Sequence, residues 1–359
     1  MATTIIFLLA LTALVFAHEL GHFLVARFFK VRVDEFAIGF PPRLFSWKRG
    51  QTEYTFNLLP IGGYVKIFGE DPEDTPPEGE AKREHFASKP RYAQALILVA
   101  GVTFNIIFAY LLFLGALTTG LPLPLPADKP GAVTINSVLP DSPAETAGFM
   151  TGDIILSVNS GEGSVETNKV TDFQAFVSGN EGGSLKVKIR RGGEEKEIPV
   201  TPIAGIVENG GAIGIGLSAY ASRAEVLKSA PITAFRMTYN SVKGVTLGFY
   251  NFIVGAFKGE SNIKDVAGPV GIAGMVGSAA KEGLPYFLSF LAYISINLAV
   301  INILPFPALD GGRLLFVGVE GALGRNLPAR FQRYMNAVGF VLLILLMIFI
   351  TYRDILKLF

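Results

Sequence analysis

The sequence contains no cysteine, one tryptophan and three histidines among its 359 residues, and charged residues make up only 17% of it. The absence of cysteine excludes disulfide bonds and thiolate metal sites, and it leaves the redox compartment undetermined. Soluble domains carry about 25% charged residues. The low charge and the 50% hydrophobic content therefore favour an integral membrane protein. The net charge of +1 gives no indication of nucleic-acid binding.

Long uncharged runs are abundant, and each can approach or span a hydrocarbon core of roughly 30 Å. The predicted transmembrane helices are residues 1–29, 93–118, 284–309 and 334–352. The sequence thus predicts a polytopic α-helical membrane protein with about four spans.

The first apolar run carries an unusual set of ionisable residues, which are His18, Glu19, His22 and Arg27. A charged group at the centre of a membrane costs a few kcal/mol, so such groups are candidates for a functional site. His18 and His22 are four residues apart and share one face of a helix, where both imidazoles can bind one ion. Glu19 can act as the general base on a metal-bound water in this HExxH pattern. The alternative is a pair of interfacial histidines at a chance spacing.

A catalytic zinc ion usually has three protein ligands and one open position. In a chain without cysteine, the third ligand is His85 or a carboxylate. His85 lies in a polar linker, so we expect it to be a solvated histidine. Asp310 is the better candidate, because it is the single acidic residue in the uncharged run 284–312 and follows two helix-breaking prolines. The alternative for Asp310 is a helix-ending residue before a Gly-Gly turn.

The basic residues of the loops predict the orientation in the membrane. Residues 30–92 carry ten Lys or Arg and residues 310–333 carry four, which places both segments in the cytoplasm by the positive-inside rule. Both termini and the segment between spans two and three then lie outside. His18, His22 and Asp310 all lie toward the cytoplasmic ends of their spans.

Between the spans, the sequence predicts β-strands in two regions. Residues 30–92 alternate apolar and polar residues with turn signals, which indicates β-hairpins followed by a polar linker. Residues 125–220 contain strand-like runs and two short helices, typical of a small α+β domain. One of these helices begins with Asp141 or Ser142 as its N-cap and with Pro143 in the first turn. Residues 221–283 are expected to be an amphipathic or interfacial segment.

The motifs together resemble the site-2 protease family of intramembrane zinc metalloproteases (peptidase family M50), in its regulator-of-sigma-E-protease, RseP-like branch. "AHELGHFLVAR" and "NILPFPALDGGRLLF" are similar to the family's HExxH and NxxPxPxLDG pair. "IGFPPRLF" and "LLPIGGYVKIFGED" resemble its membrane-associated β-loop, "AGVTFNIIFAY" its GxxxN segment, and "VAGPVGIA" its GP element. The outer domain resembles the family's PDZ domain.

The resemblance implies one Zn²⁺ per chain, held by His18, His22 and Asp310, with Glu19 as the base. It also implies that Asn302 helps to hold the substrate backbone or the oxyanion, and that Asn297 and Asn105 line the site. The alternative for each asparagine is interhelical hydrogen bonding. The implied substrates are single-pass membrane proteins, such as an anti-sigma factor or signal-peptide remnants, in a bacterial inner membrane. This branch commonly carries two tandem PDZ domains, whereas residues 125–220 have room for one and a remnant.

Three other functions are compatible with parts of the pattern. A secreted soluble metalloprotease would need a signal peptide, but the basic n-region is absent and three further apolar spans follow. A metal-bearing but inactive scaffold that presents a PDZ domain would not need Glu19. A transporter is disfavoured because no inverted repeat is visible in the four spans.

Overall fold

The computed structural model describes residues 2–71, 74, 78–161, 163–205, 211–259 and 267–357. The chain divides into two compact units. We call Met1–Thr119 with Pro231–Phe359 the helical unit, and Gly120–Ala230 the sheet unit. Parts of the predicted polar linker and of the predicted interfacial segment lie outside the described residues, namely 72, 73, 75–77 and 260–266.

The elements of the described residues are as follows. The helices are α1 (Ala2–Phe28), α2 (Arg91–Thr119), α3 (Pro143–Ala147), α4 (Val170–Gly179), α5 (Arg223–Lys258), α6 (Pro269–Glu282), α7 (Leu284–Ile303), α8 (Asp310–Leu323) and α9 (Ala329–Leu356). The strands are β1 (Val33–Arg49), β2 (Thr52–Ile67), β3 (Pro124–Leu125), β4 (Ala132–Val138), β5 (Ile154–Asn159), β6 (Ser164–Glu166), β7 (Leu185–Arg191), β8 (Glu194–Val200) and β9 (Ile215–Tyr220).

Within the described residues, α1, α2, α7 and α9 are the helices long and apolar enough to cross a membrane. This confirms the prediction of four apolar spans, although the bounds differ from it. The third helix ends at Ile303 rather than at 309, because Pro305 and Pro307 prevent its continuation. Residues 310–333, predicted as a loop, form α8 over most of their length.

The strands β1 and β2 form an antiparallel hairpin that folds back on itself. Thr55 pairs with Ala37 on one side and with Ser46 on the other, so the middle of the hairpin is covered on both edges. Val65 pairs with Phe36, and this places the end of β2 at the border of the small sheet. A buried apolar cluster then joins the hairpin to α1, α2 and α8, with members Phe23, Ala26, Val31, Val33, Phe36, Ile67, Phe86, Ile97, Leu98 and Val317.

The sheet unit contains a seven-stranded sheet in the order β3-β9-β4-β5-β7-β8, with β6 paired to β5. The predicted cap of α3 is confirmed, because the Ser142 hydroxyl accepts a hydrogen bond from the Glu145 N–H and Pro143 is the first helical residue. Apolar side chains of the strands, α3 and α4 form a separate core that includes Ile135, Ile155, Phe173, Val187 and Ile189.

The expectation for His85 is wrong. The structure buries this residue completely, with its ring packed edge-on against Phe68 at a centroid distance of 5.0 Å. Gly69 makes room for it, since a Cβ at that position would lie 2.2 Å from the imidazole. The polar composition of the linker concealed this packing, because His85 and the adjacent Phe86 are both buried although most of the surrounding residues are polar.

Candidate metal centre

Two histidine nitrogens and one carboxylate oxygen converge in the helical unit. The Nε2 atom of His18 lies 3.2 Å from the Nε2 atom of His22. The Oδ2 atom of Asp310 lies 3.0 Å from the first nitrogen and 3.3 Å from the second. Both histidines are buried, and the ligand atoms of all three residues lie within 4.8 Å of one another.

This arrangement fits a tetrahedral zinc ion. Ligand atoms about 2.0–2.1 Å from zinc at tetrahedral angles are about 3.3 Å apart, close to the three separations found here. Asp310 Oδ2 is buried without a hydrogen-bond donor although it faces both imidazole nitrogens. Lone pairs directed at one another across such distances repel, so the three atoms are suited to share a cation. The donor set of two imidazoles and one carboxylate is typical of catalytic zinc.

The local sequence explains why α1 brings the two histidines together. Residues four apart on a helix lie one above the other, and the rings of His18 and His22 meet edge to face at a centroid distance of 4.8 Å. Glycines allow α1 to approach α2 closely at this level. A Cβ on Gly21 would lie 2.4 Å from the Ala100 carbonyl oxygen, and one on Gly101 would lie 2.3 Å from His22 Nε2.

Asp310 is positioned by the turn between α7 and α8. After α7 ends, Ala308 adopts φ +72°, a left-handed conformation that is costly for a residue with a side chain. Gly311 and Gly312 pack against the backbone of the same turn, where a Cβ on either would lie 2.2 Å from a carbonyl oxygen. Asp310 is the first residue of α8, where the helix dipole stabilises a negative charge.

Glu19 lies beside this group, between the metal ligands and the hairpin. It is close enough to His18, His22 and Asp310 for electrostatic interaction. It also lines a narrow apolar cleft with Phe16 on its own helix and with residues of both hairpin strands, which are Phe36, Ala37, Ile38, Gly62 and Gly63. Glu19 therefore lies both beside the three converging side chains and in the cleft against the hairpin.

A polar cavity of about 230 Å³ lies on the α8 side of the helical unit. Its lining includes the ion pair of Glu70 with Arg313, and Arg313 follows Asp310 by one helical turn. Glu70 is also within electrostatic range of Glu19. The lining of this cavity does not include His18, His22 or Asp310.

The three asparagines named from the sequence occupy different environments. Asn105 on α2 is fully buried, with its amide 3.1 Å from Nδ1 of His18. Asn297 on α7 donates to the Tyr293 carbonyl of its own helix at 2.8 Å. Asn302 is half-buried in the last turn of α7, eight residues before Asp310.

One contact at the centre could not be predicted from the residue pattern. The backbone carbonyl oxygen of Ile97 lies 2.8 Å from Nδ1 of His22. A carbonyl is present at every residue, so only the packing of α1 on α2 could reveal this partner. His85, weighed as a third ligand, does not belong to the group of His18, His22 and Asp310.

The sheet unit has a separate concave site of about 570 Å³. One wall is α4, which contributes Phe173, Gln174, Val177 and Ser178. The other wall is the chain entering and forming β9, residues 211–217. Both apolar and polar groups line the groove.

Comparison with known proteins gives consistent results over nearly the whole chain. Residues 6–346 match the model of Peptidase family M50. A relative from Clostridium perfringens (strain 13 / Type A) is 35% identical over 350 residues, 97% of each chain. Zinc metalloprotease RasP of Geobacillus kaustophilus (strain HTA426) is 30% identical, covering 98% of this chain and 97% of that protein. Regulator of sigma-W protease RasP of Bacillus subtilis (strain 168) is 30% identical over 99% of both chains.

Among solved structures, the PDZ domain of an SdrC-like protein from Listeria monocytogenes matches 26% of this chain and 93% of its own chain. The sequence identity is 21% and the TM-score is 0.22. The fold of the sheet unit is defined by its own strands and helices.

Proposed function

Because the chain belongs to peptidase family M50 and is a zinc metalloprotease of a bacterial membrane, we propose that it hydrolyses a peptide bond within the transmembrane segment of single-pass membrane proteins. The observation that carries this proposal is the convergence of His18 Nε2, His22 Nε2 and Asp310 Oδ2 at 3.0–3.3 Å. His18 and His22 lie on the apolar helix α1, and Asp310 follows the turn after the apolar helix α7.

The proposed centre holds one zinc ion per chain through His18, His22 and Asp310. Zinc held there would polarise a scissile carbonyl and lower the pKa of a water molecule. Glu19 would act as the general base, taking a proton from the attacking water and passing it to the leaving amine. Asn302 is proposed to hold the substrate backbone or the oxyanion from the end of α7.

A substrate helix must unwind before its peptide bonds can be attacked, because helical hydrogen bonds and side chains shield them. The extended peptide can then add to a free sheet edge. Two hairpin segments, residues 52–58 and 64–68, are candidates for this edge, and the first is ruled out because Thr55 is paired on both sides. The edge at 64–67 is the better candidate, because Gly63 and Glu19 line the same cleft.

The sidedness follows from the loop charges. We place residues 30–92 and 310–333 in the cytoplasm, and both termini and the sheet unit outside. The metal centre then lies toward the cytoplasmic side, where the polar cavity with Glu70 and Arg313 can supply water.

The sheet unit is proposed to be a PDZ-like domain. Its groove between α4 and the start of β9 has the size for a peptide side chain and backbone. The domain can bind a peptide or restrict access to the centre.

The substrate class rests on the relatives. One of them is named a regulator of sigma-W protease, which favours a membrane-bound anti-sigma factor as the substrate here. Signal-peptide remnants are a second single-pass substrate of the same chemistry. An inactive scaffold remains the alternative function, and Glu19 in the cleft beside the metal ligands argues against it.

The test is cleavage of a model single-pass membrane protein by the purified protein in detergent. Glu19→Gln should keep its zinc and lose about 10²–10⁴-fold in the cleavage rate, because general acid–base catalysis contributes that much. Glu225→Gln is the matched control, since Glu225 caps α5 in contact with Ser222, and it should cleave at the wild-type rate. Full activity of Glu19→Gln would reject Glu19 as the base, and an inactive wild type with bound zinc would favour the scaffold.

A further inference from the structure

The two imidazoles of the proposed centre rest on a single stripe of α2. Ile97, Gly101 and Asn105 are spaced four residues apart and therefore lie on one face of the helix. At Gly101 a Cβ would lie 2.3 Å from His22 Nε2 and 2.7 Å from His18 Cε1, so a residue with a side chain here would displace both rings. The two ends of the stripe, Ile97 and Asn105, each provide a polar partner for one of the two rings.

At one end of the stripe, the tautomer of His22 is fixed by a carbonyl. The Ile97 carbonyl oxygen lies 2.8 Å from His22 Nδ1 and can only accept a hydrogen bond. Nδ1 therefore carries the proton. The Nε2 atom of the neutral ring is left with its lone pair directed toward Asp310 and His18, as a metal ligand requires.

At the other end, the amide of Asn105 faces His18 Nδ1 at 3.1 Å. In this orientation the amide nitrogen of Asn105 points at the ring, while its Oδ1 atom is buried and has no partner. A donated N–H would require a lone pair on Nδ1 and would leave the proton on Nε2, where the metal must bind. Amide oxygen and nitrogen have nearly the same shape, so the orientation is assigned from chemistry.

We propose that Asn105 is a positioning residue that accepts a hydrogen bond from His18 Nδ1–H through its amide oxygen and thereby holds Nε2 free for the metal. The inference rests on the proposed metal centre and deepens it. Asn105 is well suited to this role, because it is fully buried and its own backbone carbonyl accepts a 2.8 Å hydrogen bond from the Ser295 hydroxyl. Ile97 and Asn105 then fix the two tautomers, and Gly101 provides the space between them.

The experiment measures zinc affinity by competition with a chromophoric chelator, using the full-length protein in detergent. Asn105→Leu has the same size but cannot accept a hydrogen bond, and we expect its zinc affinity to fall about 10–100-fold. Asn105→Asp keeps an acceptor, and it should bind zinc at least as tightly as the wild type. The matched control is Thr103→Val, which removes an exposed hydroxyl that bonds within α2 itself and should leave zinc affinity unchanged.

The outcomes separate this inference from the metal centre itself. If His18→Ala retains wild-type zinc affinity, the proposed centre is wrong. If His18→Ala loses zinc but Asn105→Leu does not, only the role of Asn105 is overturned. An Asn105→Asp variant as weak as Asn105→Leu would show that the amide donates rather than accepts. Should Asn105→Leu fail to fold, Asn105→Asp alone decides, because a tenfold loss there contradicts an acceptor role.

Discussion

At the scale of single residues, Asp153 of the sheet unit is a buried acid with specific partners. Its carboxylate receives two hydrogen bonds of 2.7 Å from the Arg191 guanidinium and one of 2.9 Å from the Met150 N–H. Burial alone would raise the pKa of Asp153, but the bonds from Arg191 and Met150 outweigh it and hold this pKa below its usual value.

This pair makes the stability of the sheet unit depend on pH. A lowered folded-state pKa stabilises the fold above the unfolded value of about 3.9, and the contribution is lost as the pH falls through the folded pKa. Asp153→Asn should therefore cost about 1–3 kcal/mol at pH 7, and its difference from the wild type should shrink below about pH 4. Hydrogen exchange of the β5 and β7 amides in the full-length protein measures the free energy of unfolding of the sheet unit in both variants.

Glu195→Gln is the control for this prediction. Glu195 pairs with Lys188 and Arg190 on the exposed surface of β7 and β8, so its removal should change exchange little. An Asp153→Asn variant as stable as the wild type at pH 7 would contradict the stabilising role of the pair.

The three proposed metal ligands could be named from the sequence, because a helical spacing of four and an acid in an apolar run are visible without a structure. His85 was not, since its burial depends on the packing of a short turn against Phe68 and Gly69. The partners of the imidazoles were also hidden. Ile97 contributes only its backbone carbonyl, which contacts His22. Gly101 contributes the space that a side chain would otherwise fill against the two rings.

At the scale of elements, the turn that carries Asp310 is supported by α9. The Ala308 N–H donates to Asn336 Oδ1 at 3.3 Å, which holds the left-handed residue of the turn. One turn further along, Gly339 packs against Pro307, where a Cβ would lie 2.5 Å from the carbonyl oxygen. The last span thus contacts the loop between α7 and the metal ligand directly.

We expect Gly339→Ala to displace this turn and to lower zinc affinity and the cleavage rate together, by at least tenfold each, because a small shift of one ligand disrupts the coordination geometry. Gly318→Ala on α8 is the matched control, since a Cβ there meets no atom within 4 Å. Zinc competition and cleavage assays on the two variants provide the comparison. Equal behaviour of the two variants would show that α9 does not position Asp310.

The hairpin shows where element prediction from sequence fails. Alternation of apolar and polar residues indicates strands, and turn residues indicate where they reverse. The pattern does not specify which strands become neighbours. Residues 52–57 lie between two parts of β1, a result of the chain folding back at Gly39, whose φ is +82°.

At the scale of the whole molecule, the four apolar helices and the loop charges predict a membrane topology. The absence of cysteine makes this topology simple to test, because any introduced thiol is the sole reactive one. Glu194 in the sheet unit and Lys48 in the hairpin are both exposed. Glu194→Cys should react with a membrane-impermeant maleimide added to intact spheroplasts, whereas Lys48→Cys should react only after lysis.

Both variants should label equally in detergent, which controls for intrinsic thiol reactivity. Labelling of Lys48→Cys in intact spheroplasts, with protection of Glu194→Cys, would invert the proposed orientation. The metal centre would then lie toward the outer side.

The most direct test of the central claim is the zinc content of the purified protein, measured by elemental analysis with the protein concentration determined independently. The account predicts about one zinc per chain in the wild type and in the exposed control Asp128→Ala. His18→Ala, His22→Ala and Asp310→Ala should each lose most of it, since a three-residue centre does not tolerate the loss of a ligand. A stoichiometric zinc content in Asp310→Ala would contradict the assignment of Asp310, and full zinc in all three variants would place the metal elsewhere.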